Sequence, residues 1–242
     1  MTETPTSSEF LAGVMAGLFA GAETVAIGAN SPIPAAAALL AQSREPGMVV
    51  TILGSPRHNI FTNGGIEQFD FAAEGRLDCF VLGGVQIDGQ ANVNLVSTGD
   101  YRQPAMRFPG SFGSALVYFV VPRVILFREE HSPRSLVKQV DFISAPGTSP
   151  AGVYRPGGPT HLLTGKALFG FDRASARFVL ESVHPGHTVQ DIVAATGFDF
   201  ARPVETPVTP APSAADLATL RGTIRTELAD AYPDFVRRAF AA

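Results

Sequence analysis

A chain of 242 residues, 45% of them hydrophobic, has material for one large α/β domain or two small ones. Its formal net charge of −4 excludes the basic footprint of a nucleic-acid binder, and its one cysteine, Cys79, excludes an internal disulfide. No apolar run reaches the ~18 residues that span a bilayer. The N-terminus carries Glu3 and Glu9 and lacks the positive start of a secretory leader, so the expectation is a soluble, cytoplasmic protein in a reducing compartment.

Residues 1–8 are polar and read as a frayed terminus. Phe10, Val14 and Leu18 then recur at helical spacing over Glu9–Ala20, and Gly21 closes that helix. Thr24–Ile27 is a short apolar strand, Gly28–Pro32 a turn, Ala35–Ala41 a helix and Val49–Ile52 the next strand. Strand, helix, strand at this spacing predicts a βαβ unit and a parallel sheet. Cys79–Leu82 reads as a buried strand, with Cys79 a packed core thiol, and Gly83-Gly84 end it. Ligands in such sheets gather at the carboxyl ends of strands. Gly28–Pro32, Leu53–Ser55 and Gly83–Gln86 are three such ends.

Beyond Gly84, the polar residues Gln86, Asp88, Asn92 and Asn94 alternate with Val85, Ile87, Val93 and Leu95. Gln86 and Asn92 are candidate site amides. Asp88 and Asn94 are better suited to bracing the backbone. Gly110-Ser111-Phe112-Gly113-Ser114 is a second glycine turn, able to aim backbone N–H groups at an oxyanion or phosphate, although a tight turn alone would look the same. Ala115–Val121 reads as a strand, as does Val124–Phe127. The polar turn that follows offers Glu129, Glu130 and His131 as candidate bases, against the plainer reading of a solvated turn. Val137–Ile143 is predicted as a strand, and Ala145–Thr160 as a long Gly- and Pro-rich loop. His161–Thr164 and Lys166–Phe171 form a hairpin about Gly165, with Arg177–Val183 pairing next. Thr188–Ala195 is a helix. His184 and His187 flank the turn Pro185-Gly186 and read as structural, not as metal ligands. Residues 203–212 are a Pro-rich connector, and Ser213 with Asp216 opens a last helix over 213–231.

The order Gly-Gly-Val-Gln-Ile-Asp (83–88), Asn-Val-Asn (92–94), Gly-Asp-Tyr (99–101), Arg107-Phe108 and Gly110–Ser114 resembles the B subunit of class I, glutaconate-type coenzyme A transferases. The likeness continues through His131 and Arg134, Val140-Asp141-Phe142, Pro146-Gly147, His184-Pro185-Gly186 and Thr196-Gly197-Phe198. The resemblance implies an α/β fold with a mainly parallel sheet and helices on both faces, in one domain over residues 1–242. It also implies an A-subunit partner, in a heterodimer or heterotetramer, and an acyl-CoA substrate. Coenzyme A enters as a substrate moiety, with no permanently bound cofactor and no metal.

In that family a glutamate at the end of the second parallel strand attacks the thioester and carries covalent intermediates. Here Ile52 takes its place, followed by Leu53 and Gly54, and the nearest carboxylates along the chain are Glu45 and Glu67. Isoleucine has no nucleophilic atom. The likeness therefore leans toward the ring-opening hydrolases of steroid degradation, which lack this glutamate and use a carboxylate of the A subunit. A genuine transferase and a non-catalytic subunit are the alternatives. The implied substrate- and CoA-binding residues are Leu53, Gly54, Gln86, Asn92, Gly110, Ser111, Phe112, Gly113 and Ser114, with Phe112 where the family usually has glycine. Arg102 and Arg107 flank the glycine turn and suit a substrate carboxylate or a CoA phosphate.

Overall fold

The computed structural model describes residues 4–62 and 64–240. They form two compact units. One runs to Val81 and resumes at Pro210; the other is Leu82–Thr209.

In the first unit, β1 (Thr24–Ile27) lies between β2 (Val49–Ile52) and β3 (Cys79–Leu82), parallel to both. Helix α1 is Ser7–Leu18 and α2 is Pro32–Arg44, so β1-α2-β2 is the expected βαβ unit. Small side chains let α2 pack closely, and Ala35 through Ala41 are all buried. A further helix, α3 (Gly64–Ala73), falls in a stretch to which the sequence reading assigns no element.

The expected frayed terminus is corrected over residues 4–8, while residues 1–3 lie outside the described residues. Thr6 caps α1: its hydroxyl accepts from Glu9 N at 3.2 Å, and the Glu9 carboxylate accepts from Thr6 N at 2.8 Å. Glu9 is fully buried and also accepts from Arg221 Nε and Nη2 at 2.7 and 2.9 Å, tying α1 to the C-terminal helices. Ser213 and Asp216 form the expected capping box. The helix it opens runs Ala214–Thr219, passes through a π-helical turn at Leu220–Ile224, and ends with Arg225–Leu228, short of 231. Another helix, Pro233–Ala239, follows with proline at its start.

The second unit opens with two small hairpins. β4 (Gln86–Ile87) pairs with β5 (Val93–Asn94), and β6 (Ser97–Thr98) with β7 (Met106–Arg107). Helix α4 (Ser114–Val120) then leads to β8 (Arg123–Arg128). The sheet is completed by β9 (Pro159–Thr164), β10 (Ala167–Asp172) and β11 (Arg177–Val183). β8 and β9 are parallel, and β9-β10-β11 are antiparallel. The hairpin about Gly165 and its third strand are as expected. So is α5 (Val189–Ala195), capped by Thr188 and Asp191. Parallel ladders occur in both units, and the fold class is α/β.

Two predicted strands are not strands. Ala115–Val121 lies largely in α4. Its Val117 and Tyr118 are buried while Ala115 and Leu116 face out, a one-sided helical pattern. The last carbonyls of α4 are met by the 145–158 loop, not by a neighbouring strand: Arg155 Nη2 donates to Tyr118 O at 2.8 Å and Gly157 N to Phe119 O at 2.9 Å. Val137–Ile143 is irregular because side chains occupy the donors a ladder would use. Val140 N donates to Asp88 Oδ2 and Asp141 N to Gln86 Oε1.

Candidate active site

The β2 turn comes first. Ile52 is fully buried, its N–H donating to His58 O at 3.0 Å and its carbonyl accepting from Ser55 N at 3.0 Å. Leu53 is half-buried, its N–H donating to Ile27 O at 2.9 Å, and Gly54 turns the chain at φ 85°. That φ is natural to glycine and strained for other residues. The two carboxylates nearest in sequence both have partners of their own. Glu45 accepts from Gly21 N at the start of β2, the opposite end of the strand from Ile52. Glu67 accepts from Thr62 N and its hydroxyl.

Beyond β3 the chain becomes polar and tightly wired. Gly84 lies so close to the β5 hairpin that a Cβ there would stand 2.5 Å from Val93 Cγ1. Asp88 Oδ1 accepts from Gln90 N and Asn92 N, and its Oδ2 from the Asn92 amide at 3.1 Å. Asn92 Oδ1 in turn accepts from Gly147 N at 3.1 Å, so this side-chain amide bonds both Asp88 and the distant Gly147. Asn94 is fully buried, donating to Gln86 Oε1 and Ser97 O at 2.7 Å each. Gln86 Nε2 donates to Asp141 Oδ2 at 3.0 Å, and that carboxylate also accepts from Gly99 N at 2.8 Å. Asp88 and Asn94 thus brace backbone and neighbouring amides. Gln86 is held from both sides and forms part of a cleft wall.

That cleft is open and encloses about 550 Å³. Its lining combines the apolar Val85, Met106, Phe108 and Val137 with the polar Gln86, Thr98, Arg128 and Arg134. Arg128 ends β8, and Gly83 approaches Phe127 O closely enough that a Cβ would stand 3.5 Å from it, so the Gly83-Gly84 turn and the end of β8 adjoin. The glycine turn begins two residues after Phe108. Gly110 has φ 106° and Phe112 φ 46°, with Phe112 80% exposed. Gly113 precedes α4, and the buried Ser114 hydroxyl has no hydrogen-bond partner among the described residues.

The sequence does not single out the two arginines of the cleft as ligand groups. It offers Arg134 only within the family likeness and favours Arg102 and Arg107. Arg107 donates to Tyr101 O and stacks on the Tyr101 ring. A faint signal is present: Arg128 and Arg134 bracket Glu130 at spacings that let both reach it. Glu130 accepts from Arg128 at 2.8 Å, from Arg134 Nε and Nη2 at 3.1 Å each, and from the Ser132 hydroxyl at 2.6 Å. Ser132 first, then the two guanidiniums, hold its carboxyl down to about 2, which unfits it as a base near neutrality. His131 is buried between the hydroxyls of Thr164 and Thr196, at 2.8 and 2.9 Å, and burial lowers it to about 4. His184 bridges Thr209 and Thr164 O and is likewise lowered to about 4 by burial. Both histidines are structural. No group of three His, Cys, Asp or Glu among the described residues could hold a metal ion. No described helix is long and apolar enough to cross a membrane.

Comparison with known proteins agrees with the α/β fold. The sequence pattern of the family described as Coenzyme A transferase matches residues 20–195, and the chain belongs to that family. Among curated relatives it is 34% identical over 132 residues to the B subunit of glutaconate CoA-transferase from Acidaminococcus fermentans, covering 52% of this chain and 48% of that one. It therefore spans about half the length of that relative. It is 26% identical over 232 residues to the IpdB subunit of the cholesterol ring-cleaving hydrolase from Rhodococcus jostii, covering 89% and 91%. The fold is shared with crystal structures of the Acidaminococcus fermentans glutaconate coenzyme A-transferase (TM-score 0.81, 24% identity, 95% and 98% covered) and of Rhodococcus jostii IpdAB (0.81, 23%, 99% and 100%).

Proposed function

We propose that this chain is the B subunit of a two-subunit, cytoplasmic enzyme that acts on an acyl-CoA thioester without forming a covalent intermediate of its own. The activity is a hydrolysis of the ring-opening type. Water, activated by a carboxylate of the A subunit acting as general base, adds to a ring carbonyl carbon of the substrate; the adjacent ring C–C bond then breaks, the leaving carbon takes the proton, and the carbonyl carbon ends as a carboxylate. Backbone N–H groups of Gly110, Ser111, Phe112 and Gly113, with the hydroxyl of Ser114, take up the charge that develops on the carbonyl oxygen. Leu53 and Gly54 at the β2 turn, and Gln86 and Asn92 beyond β3, are the other proposed contacts for substrate or CoA. Coenzyme A is a part of the substrate and not a resident cofactor.

The observation that carries this reading is Ile52. It is an inert side chain, fully buried, at the strand end where the family places its nucleophile, with Glu45 and Glu67 both bonded elsewhere. A second reading, transfer of CoA between carboxylic acids, is favoured by one fact: identity is higher to the glutaconate transferase than to the ring-cleaving hydrolase.

One experiment separates them. The chain is co-expressed with its A subunit and supplied with acyl-CoAs, with and without an acceptor acid, while the intact mass of this chain is followed. The expected result is product formation that needs no acceptor and adds no mass. Acceptor-dependent exchange, with an acyl or CoA adduct trapped on this chain, would establish the transferase instead.

A further inference from the structure

We propose that the outward face of α4, together with the loop tip at Val153 and Tyr154, is a seat for the A subunit, with Leu116 and Tyr154 as its apolar anchors. This rests on the acyl-CoA reading above for where a carboxylate of the A subunit has to arrive.

The surface first shows as a gap in the charge pattern. Charged residues make up 17% of the chain, yet none falls in residues 108–122 or in residues 142–154. Depletion of charge marks the middle of protein–protein interfaces. The two stretches meet at the end of α4. Arg155 donates from Nη2 to Tyr118 O at 2.8 Å, and from Nη1 to Pro146 O and Thr148 O at 2.8 and 3.0 Å. Its Nε donates to Gly157 O at 3.0 Å, and Gly157 N donates to Phe119 O. The loop is thereby fastened to the last turn of the helix, and the charge of Arg155 is taken up by carbonyls.

Helix α4 turns Val117 and Tyr118 inward. Leu116, Phe119 and Val120 share its other side, at the i, i+3, i+4 spacing of one helical face. Leu116 is 43% exposed, and beyond the helix end Val153 and Tyr154 are 47% and 85% exposed. A large aromatic standing so far out on a fastened loop loses little freedom when a partner covers it. Tyrosine is also among the residues that carry most binding energy once buried in an interface.

The occupant follows from the chemistry. α4 begins at Ser114, directly after the glycine turn proposed to take up the oxyanion charge. The general base of that reading belongs to the A subunit, and a base works within hydrogen-bond reach of the water it activates. The A subunit therefore has to stand beside this turn, and the apolar row on α4 starts there. A second copy of this chain could cover the same row but would bring no base to the turn.

The one cysteine, Cys79, is fully buried, so a new surface thiol can be read alone. Leu116→Cys and Tyr154→Cys are co-expressed with the A subunit, and maleimide labelling of this chain in the complex is followed by mass. Val193→Cys on α5 and Ile66→Cys on α3, at exposed apolar positions elsewhere, are the comparison. Positions 116 and 154 should label at least about 10-fold more slowly than 193 and 66. Leu116→Ser and Tyr154→Ser should each weaken the complex by about 10- to 100-fold, read from its dissociation on dilution, and Ile66→Ser should not. Because the seat is uncharged, affinity should change less than about 3-fold between about 50 and about 500 mM salt. Equal labelling at all four positions, or a complex weakened by Ile66→Ser and not by Leu116→Ser, overturns the proposal. So does a dimer of this chain alone that dissociates in Leu116→Ser. None of these readouts needs a thioester. A protected face without acyl-CoA hydrolysis keeps the seat and sinks the acyl-CoA reading; hydrolysis with the face unprotected does the reverse.

Discussion

The turn after β2 and the hairpin that follows β3 both leave parallel strands at their carboxyl ends, yet they have opposite chemistry. At the first, Ile52 is fully buried and the turn is held by backbone bonds from Leu53 to Ile27 and from Ser55 to Ile52. At the second, Asp88 accepts from Asn92, and Gln86 bonds both Asn94 and Asp141, in two side-chain clusters with bonds of 2.7 to 3.1 Å. The difference shows which parts of such a site can change independently. A turn closed by backbone bonds and a glycine tolerates exchange of a reactive side chain for an aliphatic one, because no partner is orphaned. A bonded cluster of amides and carboxylates does not, because removing one member leaves its partner unpaired.

The largest expected effect comes from placing an acid at the first turn. Ile52→Glu places a carboxyl where no solvent reaches, and should lower stability by about 3–5 kcal/mol, measured by urea denaturation. If the variant melts like the parent and becomes labelled by acyl-CoA, the turn can still host a nucleophile, and the contrast between the two strand ends disappears.

Acid should strike the second unit. Burial holds His131 and His184 near 4, below the ordinary value of 6.5, so the unfolded chain binds more protons between those limits. Stability should therefore fall as pH drops from about 6.5 to about 4, by up to ~3 kcal/mol per imidazole, with no further loss from these groups below that window. Hydrogen exchange at pH 7 and pH 4.5 would show it as earlier opening of β9–β11 than of β1 and β2. Equal acceleration in both units would refute this assignment.

Asn94→Ala probes the network directly. It removes the Asn94 donor from Ser97 O and leaves Gln86 Oε1 with Asp141 N alone, and should cost about 1–3 kcal/mol, read from a denaturation midpoint. A change as small as that of an exposed substitution would mean that the network does not brace the cleft wall.

The smallest effect is expected at Phe112. A phenylalanine at φ 46° carries backbone strain that glycine lacks, partly offset by the greater freedom of glycine in the unfolded chain. Phe112→Gly should be neutral or stabilising by about 0.5–1 kcal/mol in a thermal melt. A clear loss of stability would show that the ring, although exposed, contributes packing that outweighs the strain.

Local rules written in the sequence determined a good part of this protein. The βαβ unit, the hairpin about Gly165, the capping boxes at Thr188 and Ser213 and the family motifs all depend on residues close together in the chain. The end of β2 at Ile52 and the turn at Gly54 were legible there too, because a short apolar run and a glycine are enough to locate them. What the tertiary structure decided was where distant donors and acceptors meet. Ala115–Val121 has the composition of a strand, but carbonyls of its last turn are met by Arg155 and Gly157, so most of it coils into α4. Val137–Ile143 lost its ladder to the side chains of Asp88 and Gln86, some fifty residues earlier in the chain. Arg102 and Arg107 lie nearest the glycine turn in sequence, whereas the cleft beside Gln86 is lined by Arg128 and Arg134 at and beyond the end of another strand. Hydrogen-bond partners of a charged or amide side chain are chosen by proximity in space, and the order of residues does not encode that proximity until the sheet has formed.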